Sequence, residues 1–292
     1  MCCARRASCA PRYDASRTGA DTELFRTIHV LTPPDVQHKW GAKHMRIAPV
    51  KQLAAAEHLP ALTVPADGLE VFELPSAMRS SNAPLLVTAS FGHRIPTRLL
   101  AKFSSPSLTL NLHPSLLPAL RGAAPIQWAI ARQLETGVTV QQLHSERFDT
   151  GGILAQEHVS LPSRASYPEA APVLAAHGAA LLTRVIADLP LYAAHVQAQD
   201  DTQATRAPKL APRFSNVRFD HWDAATLDAR LRAFGYAVRF AGTLTTVAAA
   251  LCNARAVIYT LPTSYVLFPR GLHTGQLLSL IHISEPTRLR RI

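Results

Sequence analysis

Asn111, His113 and Asp149 are residues whose types and spacing could do chemistry together. Asn111 and His113 stand two apart at the end of a strand-like run, so both side chains leave the same face. The run then breaks into a loop bounded by Pro114 and Pro118. Asp149 sits in Phe148-Asp149-Thr150-Gly151-Gly152, just before a glycine turn, on a loop at another strand edge. An amide, an imidazole and a carboxylate suit the attack of an amine on a formyl carbon. Asn111 and His113 can each donate a hydrogen bond to the oxygen on which negative charge develops. Asp149 can move a proton from the attacking nitrogen to the leaving one, directly or through a water. Its pairing with His113 would fix the imidazole tautomer. Taken singly, the three have plainer roles: a strand-end Asn and an Asp before Gly are turn formers, and a lone His is usually structural.

Strands alternating with helices must position these groups. Residues 27–32 read as a short strand closed by Pro33-Pro34. Pro49 opens a helix with Val50, Leu53 and Ala54 on one face. Residues 84–90 give a buried-strand signal, 96–102 a helix and 108–112 another strand. Pro125 starts a helix with Ile126, Ile130 and Leu134 at spacing four. Residues 138–143 and 153–159 are strands, and Ser166 with Glu169 forms a capping box ahead of a helix over 170–187. This alternation predicts an α/β fold with an open, mainly parallel, Rossmann-like sheet. The chain has no Gly-x-Gly-x-x-Gly run and no phosphate-loop lysine, so the sheet carries no nucleotide fingerprint.

The 292 residues leave room for two domains, and 48% hydrophobic content excludes wholesale disorder. Beyond about residue 200 the composition changes. Residues 205–276 hold nine Lys or Arg against three Asp or Glu, with a helix near 224–234 and strand-like pieces after it. They read as a smaller basic domain behind a polar, proline-bearing linker. The expected division is 27–195, a linker over 196–212 and a second domain over 213–276. The net charge of +10 favours an anionic partner such as nucleic acid. Cys2, Cys3, Cys9 and Cys252 have neither disulfide-framework nor zinc spacing, so no metal is expected. No apolar run is read as long enough to span a membrane. Arg5, Arg6 and Arg12 without an acid give the first thirteen residues the look of an organellar transit peptide.

Ordered blocks from Asn111 to Gln156 resemble the formyltransferase family that uses 10-formyltetrahydrofolate. They are Asn-Leu-His-Pro-Ser-Leu-Leu-Pro at 111–118, Arg-Gly-Ala-Ala-Pro-Ile-Gln at 121–127, Glu-Thr-Gly-Val-Thr at 135–139 and Phe-Asp-Thr-Gly-Gly-Ile-Leu at 148–154. The Gly-Ala-Ala-Pro-Ile-Gln block looks like the branch acting on methionyl-tRNA, as does Ala-Thr-Arg-Ala-Pro-Lys-Leu at 204–210. The spacing from Gly137 to Asp149 looks like the mitochondrial form. The resemblance implies Asn111, His113 and Asp149 as the catalytic trio. It implies a folate site lined by Ser90, Phe91, Gly92, Ser115, Leu116, Leu117 and Pro118. Lys39, Lys43 and Arg46 align with a loop that reaches the tRNA acceptor end, and Arg121 joins them as a tRNA-binding residue. The second domain would be an OB-like β-barrel gripping the tRNA backbone, a role its basic excess suits independently. The co-substrate would be 10-formyltetrahydrofolate, the partner methionyl initiator tRNA, the state a monomer and the location the mitochondrial matrix.

The chain departs from that pattern in places. The family opens with a strand and glycine turn that residues 1–26 do not show, so the sheet is expected to be incomplete. Ala119 stands where the family usually carries a basic residue, leaving Arg121 alone. Residues 277–292 resemble translated sequencing-adaptor read-through, so a non-native tail and a truncated barrel are expected. Arg288, Arg290 and Arg291 in that tail carry part of the net charge. Two alternatives compete: a formyltransferase acting on a small amine or amino sugar, and a non-catalytic RNA-binding pseudoenzyme.

Overall fold

The structure, a computed structural model, describes residues 27–37, 45–79, 84–211, 214, 216–217, 221–234, 239–240, 256–261 and 264–269. The expectations for residues 1–26, Lys39, Lys43 and 277–292 lie outside them. The chain divides into two compact units, 1–66 and 67–292.

In the first unit, β1 (Val30–Thr32) pairs in parallel with β4 (Ala61–Thr63), with Val30 opposite Ala61. β2 (Val36–Gln37) and β3 (Met45–Arg46) form an antiparallel ribbon that places Arg46 opposite Val36. α1 (Pro49–Ala56) starts at the expected proline. Its expected apolar face is only partly used: Ala54 is buried, whereas Val50 and Leu53 are 48% and 59% exposed. The helix has eight residues, and its covered side is narrower than the three-residue stripe suggested.

The second unit begins with α2 (Ser76–Arg79) and β5 (Leu86–Ala89). α3 (Thr97–Leu100), β6 (Thr109–His113), α4 (Pro125–Ala131), β7 (Thr136–Gln142) and β8 (Ile153–Val159) follow. The sheet order is β5-β6-β7-β8. β5 and β6 run parallel, while β7 is antiparallel to both β6 and β8. The sheet is therefore mixed. α5 (Tyr167–Ala187) lies against it, burying Ala170, Leu174, Gly178, Leu181 and Val185 at helical spacing. Leu174, Leu181 and Val185 meet Leu110, Val138, Val140, Leu154 and Val159 in one core, and Ala170 joins the cluster around Trp128. Each such aliphatic side chain stabilises the fold by about 1.5–3 kcal/mol. The Glu169 carboxylate accepts from the Ser166 N–H at 2.8 Å, fixing where α5 begins. Contrary to the sequence reading, α5 is long and apolar enough to cross a membrane by length and composition. Its inward face is occupied by the sheet.

α6 (Leu189–Ala194) leads into β9 (Asn216–Val217), α7 (Ala224–Phe234), β10 (Arg239–Phe240), β11 (Ala256–Leu261) and β12 (Ser264–Pro269). α7 packs on α4: Ala233 and Phe234 join Trp128, and Arg232 donates to the Ala165 carbonyl at 2.8 Å. β9 pairs with β10, and β11 forms an antiparallel hairpin with β12.

Candidate active site

Asn111 and His113 occupy the end of β6, as their spacing required. Asp149 comes from the loop between β7 and β8 with φ of +57°, and its side chain is only 11% exposed. The loop can turn there because glycines follow. A Cβ at Gly151 would collide with the Gln142 carbonyl, so no other residue fits without moving β7.

The carboxylate of Asp149 is held from four directions. Oδ2 accepts the Gly122 N–H at 2.9 Å. Oδ1 accepts from the Gln141 amide at 3.1 Å and from Asn111 Nδ2 at 3.4 Å, and it faces His113 Nδ1 at 3.5 Å. The three residues picked from the sequence thus meet at one oxygen atom.

Each partner of Asp149 is itself oriented. Thr88 on β5 donates its hydroxyl to Asn111 Oδ1 at 2.8 Å, which turns Nδ2 toward Asp149 and leaves its second N–H available. His113 Nε2 lies 3.0 Å from the Leu120 carbonyl. A carbonyl only accepts, so that nitrogen carries a proton. The ring is 5% exposed, and its donor is spent on Leu120. The main chain thus occupies Nε2 of His113, and Nδ1 faces Asp149. A proton on Nδ1 would make its contact with Asp149 an ion pair.

The loop after β6 is built as a rigid wall. Ser115 is fully buried, and its hydroxyl donates to the Ala119 carbonyl at 2.7 Å. Thr139 donates to the Ser115 carbonyl at 2.7 Å and accepts the Leu117 N–H at 3.3 Å. Gln156 donates to the Leu117 carbonyl at 2.9 Å. The Leu117 side chain is 3% exposed. Of the loop residues proposed to line a folate site, Ser115 and Leu117 therefore turn their side chains into the core. Leu116 and Pro118 stay partly accessible. Ser90, with φ of +50°, and Gly92, with φ of +77°, are exposed after β5, and the Phe91 ring stacks at a tilt on His93.

Arg121 is committed within the protein. Its guanidinium donates to Gln199 Oε1 at 2.9 and 2.8 Å and pairs with Asp201 at 2.8 Å. The Arg121 hydrogen bond holds the Asp201 carboxyl below its usual range. The described part of the stretch expected as a linker, 196–211, runs along the site. Gln197 pairs with Ile153, the Arg121 N–H donates to the Thr205 carbonyl at 2.9 Å, and the Ala207 N–H donates to the Arg121 carbonyl at 2.7 Å. Gln199, Gln141 and Thr88 were not picked from the sequence. A polar pair, Gln141-Gln142, closing a buried strand was a usable signal for Gln141. Nothing local marks Gln199. Among the described residues, no three His, Cys, Asp or Glu side chains gather as metal ligands.

Residues 18–186, more than half of the chain, match the formyl transferase family profile. The chain belongs to the formyl transferase family. Asn111, His113, Gln141 and Asp149 lie within the matched span, and Gln199 and Asp201 lie beyond it. Relatives include the mitochondrial methionyl-tRNA formyltransferase of Rattus norvegicus, 34% identical over 219 residues, covering 75% of this chain and 51% of the relative. The methionyl-tRNA formyltransferase of Alcanivorax borkumensis is 36% identical over 211 residues, covering 72% of this chain and 62% of the relative. The chain spans about half the length of the mammalian relatives it matches. Among solved structures, a 4-N formyltransferase from Francisella tularensis shares the fold with a TM-score of 0.51 at 16% identity, covering 76% of this chain and 83% of that one.

Proposed function

We propose that this formyl transferase moves the formyl group of 10-formyltetrahydrofolate to the α-amine of methionyl initiator tRNA. The observation that carries the reading is the convergence of Asn111, His113 and Gln141 on Asp149 within the family-matched span. Names of relatives at 34% and 36% identity support the tRNA substrate. Mitochondrial and bacterial relatives are about equally similar, and the mitochondrial names together with the basic first residues support a matrix location.

Attack of the amine converts the formyl carbon to a tetrahedral centre with an oxyanion. The free N–H of Asn111 Nδ2 stabilises that charge. Asp149 accepts the proton of the attacking nitrogen and returns it to the leaving nitrogen of the folate. His113, its ring anchored on Leu120, supports the carboxylate from behind. Ser90, Phe91, Gly92 and the 115–118 wall flank the folate ring. Lys39, Lys43, Arg46 and the basic second domain add electrostatic attraction for the tRNA backbone.

The test is a formylation assay with methionyl initiator tRNA and 10-formyltetrahydrofolate. Formyl-methionyl-tRNA that disappears in Asn111→Ala supports the reading. Absence of product with tRNA still bound points to a pseudoenzyme. Formylation of a small amine or amino sugar in place of the tRNA overturns the tRNA assignment.

A further inference from the structure

Gln199 lies in the stretch read as a linker, yet its side chain bonds to Arg121, to β7 and to the loop that carries Asp149. Its Oε1 accepts two hydrogen bonds from Arg121, at 2.9 and 2.8 Å. The two N–H groups of its Nε2 face three acceptors, Gln141 Oε1 at 3.2 Å, the Asp149 carbonyl at 3.0 Å and the Gly151 carbonyl at 2.8 Å, so one N–H is shared between two of them. Gln141 is 1% exposed and gives its own Nε2 to Asp149 Oδ1 at 3.1 Å.

The direction of this chain is forced. A guanidinium has donors and no acceptor. Arg121 therefore fixes the Gln199 oxygen toward itself and the Gln199 nitrogen toward Gln141. That fixes the Gln141 oxygen toward Gln199, and the Gln141 nitrogen must then face Asp149. A flipped Gln141 would instead set its amide oxygen against the carboxylate. The other ionisable groups nearby are His113, Asp201 and Arg147, the last lying 3.5 Å from Asp201.

We infer that Gln199 and Gln141 are positioning residues for Asp149, an amide relay that transmits the donor polarity of Arg121 to the carboxylate. The inference rests on the proposed role of Asp149 in formyl transfer. It adds that the segment after the sheet sets the reactivity of a loop 50 residues earlier.

The experiment compares Gln199→Leu, Gln141→Leu and the double variant in the full chain, with two readouts. The first is formylation kinetics. Each single variant is expected to lower kcat by roughly tenfold or more with KM for 10-formyltetrahydrofolate changed less than about threefold. The acid limb of the kcat profile should move to higher pH, and the double variant should be no worse than the poorer single one. The second readout is an NMR titration of the His113 imidazole in the free protein, which should shift in both single variants. Unchanged kcat, or losses that multiply in the double variant, overturn the relay. So does an unmoved His113 titration. If the unsubstituted chain formylates nothing, the proposed function fails, while the His113 titration still decides the relay. If Gln199→Leu does not fold, Gln141→Leu decides it alone, because Gln199 keeps its backbone bonds there.

Discussion

Asn111 on β6 and Gln141 on β7 stand directly opposite each other, and both point an amide N–H at the same oxygen of Asp149. The β7–β8 register slips between Val140 and Gln141, which is where the strand must aim a side chain out of the regular ladder. A cross-strand pair thus becomes a two-pronged clamp on a carboxylate delivered by a third segment. The sheet supplies the rigidity, and the loop needs only to bring Asp149 to a place already built for it.

Asp149→Asn should remove the proton acceptor and set an amide against two amide donors. Loss of a general base lowers turnover by about 10²–10⁴-fold, so kcat should fall by at least about a hundredfold, while tRNA affinity is retained. Single-turnover formylation alongside a filter-binding isotherm measures both. Near-normal turnover would remove Asp149 from the reaction.

Thr88→Val should act through Asn111. The hydroxyl is buried and donates to Asn111 Oδ1 at 2.8 Å. Its loss frees the amide to flip and turns its N–H groups away from the reacting oxygen. We expect about a tenfold drop in kcat with KM little changed, and a stability loss of about 1 kcal/mol for the missing hydrogen bond. Kinetics and denaturant unfolding read these separately. Unaltered kcat would mean Thr88 does not orient Asn111.

Much of this arrangement was legible in the sequence, and the rest was hidden for physical reasons. Two-residue alternation put Asn111 and His113 on one face, and Gly151-Gly152 marked the turn that carries Asp149. β8 and α7 begin and end where the sequence reading put a strand and a helix. Local signals report local structure. Gln199 meets Arg121 across 78 residues and Gln141 across 58, and no pattern in a polar stretch encodes such a meeting. The same stretch looked like a linker because its backbone bonds go to distant loops. His113 was singled out for its side chain, but Nε2 is bonded to the main-chain carbonyl of Leu120, which side-chain spacing cannot announce.

Gly151→Ala should disable the site by moving its loop. The added methyl would collide with the Gln142 carbonyl on β7, a backbone atom that cannot swing aside. We expect a loss of about 1–3 kcal/mol together with a fall in kcat, because the Gly151 carbonyl also accepts from Gln199. Thermal unfolding and formylation assays test this. A variant with wild-type stability and rate would show that the loop position is adjustable.

The acid response of the fold should depend on Glu73. Its carboxylate accepts from Arg98 at 2.7 Å and also pairs with Lys102. The Lys102 hydrogen bond, followed by that from Arg98, lowers its pKa from 4.5 to about 2. A carboxyl depressed in the folded state binds protons more readily when unfolded. Its contribution is therefore complete above the unfolded value near 4.5 and is lost as pH falls toward 2. The side chains are 45–50% exposed for Arg98 and Glu73, so solvent and salt screen the interaction and the effect is modest. Melting temperatures of wild type and Glu73→Gln should differ at pH 6 and converge as pH drops from 4.5 to 2. The gap at pH 6 should also narrow in high salt. A gap that stays constant across the acid range would mean Glu73 acts through packing and not through charge.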